Sequence, residues 1–189
     1  MRHRVHQILL IGTFLPLCWL LMQAVHELGH VAGSLATGGT ISHVVLNPLT
    51  ISRTDTSGSA SPLLVVWAGP VVGVVVPLLL LAVFKATVRE WSYLPQFFAG
   101  TCLIANGAYI GIGSFGRVGD AGDMIRLGSP LWSLWLFGLI TFPSGLYLWN
   151  GLGPHFGLGR AQGIVDRRAA YLSAGLLVLV VCLEVTFGS

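Results

Sequence analysis

Residues 7–35 read QILLIGTFLPLCWLLMQAVHELGHVAGSL. This run is apolar for longer than the roughly 20 residues that one membrane crossing requires. Near its end stand His26, Glu27 and His30. A charged group at bilayer depth costs about 2.5–3.5 kcal/mol on insertion scales. Three ionisable side chains so close together therefore need something that compensates them. The other reading places the motif past the membrane edge, in an interfacial helix end.

The rest of the chain agrees with a membrane setting. Of 189 residues, 54% are hydrophobic and only 9% charged, and mean hydropathy is +0.80. Soluble domains carry about 25% charged residues. An ordinary cytosolic enzyme, a disordered chain and a collagen-like fibre are excluded on this ground. The net charge of +3 comes from basic residues scattered through short connections. They form no cluster of the kind that binds nucleic acid. Cys18, Cys102 and Cys182 all lie in apolar stretches, make no C-x-x-C pair and read as buried free thiols.

Five stretches are long and apolar enough to cross a bilayer: about 7–35, 63–84, 94–112, 131–149 and 169–187. The polar piece between the first two contains Ile41-Ser-His-Val-Val-Leu46 and Leu49-Thr-Ile-Ser52, separated by Asn47-Pro48. β-branched runs broken by Asn-Pro predict a small hairpin beside the membrane. The expected fold is thus an all-α polytopic membrane protein of about five helices, with a hairpin-like element after the first. The whole chain, 1–189, reads as one integral membrane domain. Its core is expected at about 7–128, with added helices at 131–149 and 169–187. The N-terminal run has no clear small-x-small cleavage site and reads as a retained helix.

Lys and Arg counts predict the orientation. Arg2, Arg4, Lys85, Arg89, Arg160, Arg167 and Arg168 fall on one side, against Arg53, Arg117 and Arg126 on the other. The N-terminus is expected in the cytoplasm and the protein in the cell (inner) membrane.

His26-Glu27-Leu28-Gly29-His30 is an H-E-x-x-H motif. On a helix, positions i and i+4 share a face. His26 and His30 can aim two imidazoles at one zinc ion, with Glu27 as general base for a water there. Such a metal makes water acidic near neutral pH and polarises a carbonyl. A catalytic zinc usually has three protein ligands. The candidates for the third are Asp120, Asp123, Glu184, His43, His155, His3 and His6. An aspartate near the third apolar segment is favoured, because a carboxylate also offsets the metal's charge. Asp120 and Asp123 read equally well as turn or N-cap residues. Glu184 reads as a helix-end residue near the outer interface.

Together these features resemble the site-2 protease class of intramembrane zinc metalloproteases, the M50 peptidases, and in particular its small members. The resemblance rests on His26-Glu-Leu-Gly-His30, the hairpin-like stretch, Trp67-Ala-Gly-Pro70, Asn106 and Asp120-Ala-Gly-Asp-Met-Ile125, in that order. It covers about residues 15–128. It implies one zinc per chain held by His26, His30 and Asp120, with Asp123 as rival. It implies Glu27 as catalytic base and Asn106 as donor to the substrate backbone or the developing oxyanion. Ala121 stands where the family usually has Gly, and the gap from Asn106 to Asp120 is long. The implied activity is hydrolysis of peptide bonds in membrane-spanning or membrane-associated substrates. The expected partners are such a protein or peptide and the lipid bilayer, and no nucleic acid. No oligomeric state is legible. The alternatives are a non-catalytic zinc-binding scaffold of the same fold and a small membrane metal transporter.

Overall fold

A computed structural model describes residues 2–188, with the side chains of Arg2 and His3 left aside. Five long apolar helices dominate it. They are α1 (Arg2–Ala36), α2 (Pro62–Thr87), α3 (Tyr93–Gly116), α5 (Leu131–Trp149) and α6 (Arg167–Phe187). Each is long and apolar enough to span a bilayer. At 1.5 Å per residue, α1 is about 52 Å long, well beyond a hydrocarbon core of about 30 Å. Leu79, Leu139, Val178 and Phe187 are among the large apolar side chains turned outward. Such a surface suits lipid and not water.

The helices meet through small residues. Thr13 Oγ1 lies 2.8 Å from Ser173 Oγ where α1 meets α6. Along α3 and α5, a Cβ added to Gly138 would lie 2.9 Å from the Gly107 carbonyl oxygen and from Gly111 Cα. A Cβ on Gly145 would lie 2.7 Å from the Gly100 carbonyl oxygen. Backbone-level approach of this kind is how helices associate in lipid, where apolar burial gives little drive. One core gathers Leu10, Phe14, Leu17, Cys18 and Met22 of α1 with Phe98 and Cys102 of α3 and Ala169 of α6. Cys18 and Cys102 are buried, whereas Cys182 is exposed on the outer face of α6, contrary to the expectation for all three.

The hairpin is real, but its second strand is displaced. β1 (Thr40–Val45) pairs antiparallel with β2 (Arg53–Ser57), not with 49–52. The reason is the turn chemistry of Asn47. Its side-chain Oδ1 accepts from Leu49 N at 2.9 Å, and its carbonyl accepts from Thr50 N at 3.1 Å. An Asx turn of this kind competes with ladder pairing. It occupies the chain through Thr50, so the ladder resumes only at Arg53, opposite Val45.

The Gly-rich segment 113–129 also holds more order than a loop. It contains α4 (Gly119–Arg126). Arg117 ends α3 with φ +51°, and Gly119 follows with φ +54°. Two left-handed residues turn the chain sharply, and the second stands where a Cβ would run into the Tyr109 hydroxyl. This reversal brings the first turn of α4 back against α1 and α2.

Candidate metal centre

The site is built on the last third of α1. His26 and His30, one turn apart, both face α2 and α4, and each is only 8% exposed. Asp120 comes from the first turn of α4. His26 Nε2 lies 2.8 Å and His30 Nε2 3.2 Å from Asp120 Oδ2, and the two Nε2 atoms are 3.1 Å apart. Asp123, the rival, lines the same cavity but stands outside this trio and pairs with Arg126 at 2.9 Å.

The outer ring nitrogens decide what the inner ones offer. Asn106 Nδ2 donates to the Cys102 carbonyl at 2.9 Å, which turns its Oδ1 toward His26. His26 Nδ1–H therefore donates to Asn106 Oδ1 at 2.7 Å. His30 Nδ1–H donates to the Val65 carbonyl at 2.9 Å. With their protons on Nδ1, both neutral imidazoles present bare Nε2 lone pairs to one point, as metal-ligating histidines do. Burial works against the charge on Asp120. Where a proton sits on Nε2 in place of a metal, hydrogen bonds and positive charge from His26 and His30 outweigh it and hold the carboxyl well below the usual carboxylate range. The third donor is thus an anion.

These residues fit a zinc ion. Bonds of about 2.0–2.1 Å in a tetrahedron set ligand atoms about 3.3–3.4 Å apart. The three observed separations, 2.8, 3.1 and 3.2 Å, lie inside that value, the first by about 0.5 Å. Two lone pairs and a carboxylate oxygen so close repel one another unless a cation sits among them. Nitrogen and oxygen donors in this number are also what a catalytic zinc site uses.

Glu27 is 4% exposed and bonds neither histidine. Both its oxygens are engaged by the hairpin: Ser52 Oγ donates to Oε1 at 2.7 Å, and Thr54 Oγ1 donates to Oε2 at 2.6 Å. Gln23, one turn earlier, accepts from Ser52 N at 3.0 Å. Asp120 N donates to the Tyr109 hydroxyl at 3.2 Å. Glu27, His26, His30, Asp120, Ser52, Thr54 and Tyr109 all line one cavity of about 650 Å³.

The close fit of α2 explains its Ala68-Gly69-Pro70. A Cβ on Gly69 would strike the His30 ring and lie 3.0 Å from His26 Nε2. A Cβ on Gly29 of α1 would strike the Ala68 carbonyl. Only glycine lets the two helices touch at the level of the imidazoles.

The other candidates lie elsewhere. Glu184 stands in the last turn of α6, the helix-end position expected for it, and is 8% exposed. His43 sits opposite Asp55 in the hairpin. His155 stacks on Tyr93 with ring centroids 4.6 Å apart. His6 meets the Tyr171 hydroxyl at 3.3 Å. The His3 side chain lies outside the described residues. Asn106 lines the cavity, with its Oδ1 engaged by His26 and one of its two amide hydrogens by the Cys102 carbonyl. Sequence reasoning missed Ser52, Thr54, Gln23 and Tyr109. The alternation of Ser52, Thr54 and Thr56 was the one available signal, and it is readable only once the strand register is known.

A multi-pass helical membrane protein that gathers two histidines and an aspartate beside a buried glutamate has the build of a membrane metalloprotease. Residues 5–109 match the family model described as Peptidase M50B-like, more than half of the chain, and the protein belongs to that family. The match takes in the motif helix, the hairpin, α2 and Asn106, and it ends before Asp120. No curated protein and no solved structure matches the chain.

Proposed function

We propose that the protein is a zinc-dependent intramembrane endopeptidase. The observation that carries this reading is the meeting of His26, His30 and Asp120 donor atoms within 4.8 Å of one another, beside Glu27. These three residues would hold one zinc ion. When bound, zinc would supply Lewis acidity, polarising a carbonyl and making water acidic near pH 7. Glu27 takes a proton from the attacking water on a carboxylate oxygen. It then gives that proton to the leaving amine nitrogen as the C–N bond breaks. Asn106 and the Val65 carbonyl hold the two imidazoles in the tautomer that keeps Nε2 available. The packed helices around the site limit access of bulk water.

The substrate in this reading is a membrane-spanning or membrane-associated polypeptide. Carbonyls of a membrane helix are hydrogen-bonded internally, so the segment to be cut has to unwind. The free edge of the hairpin suits capture of an opened segment as an added strand. The bias of Lys and Arg supports a cytoplasmic N-terminus in this reading, with the cell membrane as the proposed setting.

The test is Glu27→Gln in the purified full-length protein, with a membrane peptide as substrate. Cleavage is expected to fall by about 10²–10⁴ while zinc stays near one per chain. Undiminished cleavage by this variant would refute the proposed role of Glu27.

A further inference from the structure

We propose that Ser52 and Thr54 are positioning residues for the general base, so that the hairpin sets the turnover rate. This inference rests on the endopeptidase reading. An ionised carboxylate only accepts hydrogen bonds, with about four lone-pair sites. The terminal torsion of a glutamate is soft and broad, so a single bond would leave the carboxylate free to turn. Here each oxygen accepts one hydroxyl, at 2.7 Å and 2.6 Å. Two bonds on separate oxygens fix the plane of the group and leave one lone pair on each oxygen for a reacting proton.

Both hydroxyls come from the same face of one extended segment, at positions i and i+2. That segment is also tied to α1 one turn before the base, through the Ser52 N–H and Gln23 Oε1. Gln23 and Glu27 are i and i+4 on α1 and share a face. The hairpin therefore grips the motif helix at two successive levels. The same segment, through Ile51, Arg53 and Thr56, lines the cavity that a substrate would enter. A misplacement of about 1 Å in a catalytic group can cost about 100-fold in rate. The contacts reach Glu27 and none of the metal-binding atoms, so their loss should lower kcat and spare both zinc and substrate affinity.

The experiment uses the zinc-loaded full-length protein in lipid vesicles with a membrane peptide substrate. Ser52→Ala and Thr54→Val are each expected to lower kcat about ten-fold, and the double variant about 100-fold. KM should stay within about two-fold. Thr54→Ser keeps the hydroxyl and should retain near-full kcat. Zinc content and hydrogen exchange along α1–α3 report that each variant is folded. A second readout does not need activity: Glu27→Ala should speed amide exchange across residues 51–57. The inference is overturned if the double variant turns over like wild type, if the loss appears in KM or zinc, if Thr54→Ser is as damaging as Thr54→Val, or if exchange is unchanged. Should wild type itself cleave nothing, the endopeptidase reading fails and this role with it. A working wild type matched by the double variant sinks the positioning role alone.

Discussion

Two buried glutamates stand near the ends of two membrane helices, and they differ in company. Glu27 of α1 is 4% exposed and has a hydroxyl on each oxygen. Glu184 of α6 is 8% exposed, and its buried Oε2 has no hydrogen-bond partner. Burial of an acid in an apolar protein therefore does not by itself make a site. Around Glu27, side chains from α1, α4 and the hairpin converge on one cavity. Around Glu184 no metal-holding cluster of His, Cys, Asp or Glu side chains gathers among the described residues. The chemistry lies in the convergence.

The sharpest way to break that contrast is to remove the element that α4 brings. Asp120→Ala should reduce zinc from about one per chain to near none, with activity lost. Asp123→Ala should keep both, because that carboxylate stands outside the trio and pairs with Arg126. Metal analysis of the two purified proteins decides, and zinc loss in the Asp123 variant would transfer the ligand role. Next in size is Asn106→Ala, which frees the His26 ring while leaving all three ligands. Zinc affinity should fall by about 10–100-fold, read by competition with a chelator. A smaller cost is expected for Gly69→Ala. Its Cβ meets the His30 ring, and overpacking of this kind costs about 1–3 kcal/mol, visible as a lower melting temperature and weaker zinc binding. The smallest effect belongs to Glu184→Gln. One of its oxygens has no partner to lose, so stability should shift by less than about 1 kcal/mol with cleavage unchanged. A large loss of activity in this variant would mean that the two glutamates are more alike than their surroundings suggest.

The parts of this arrangement that were legible in the sequence are those set by local spacing. The five apolar runs predicted five membrane helices, because length and hydropathy decide that question residue by residue. The i, i+4 histidines predicted a shared helix face for the same reason. Which aspartate meets the histidines was not legible from spacing. Asp120 and Asp123 share one short segment, and what separates them is the left-handed pair at Arg117 and Gly119, which sets the direction of α4. The hairpin was placed by β-branched content, but its second strand followed from the turn at Asn47. Ser52 and Thr54 lie 25 and 27 residues from Glu27. Contacts at that distance depend on register, which propensity does not encode.

The glycine seam between α3 and α5 bears on how a membrane polypeptide would arrive. Parting these helices would break backbone-level contact at Gly100, Gly107, Gly111, Gly138 and Gly145 together. That side behaves as a wall. On the hairpin's side the cavity is bounded by contacts that run through side chains, such as the hydroxyls on Glu27 and the Gln23 amide, with no backbone-to-backbone seam of that kind among them. In the endopeptidase reading, a covalent clamp across the seam should therefore leave cleavage of a membrane peptide intact.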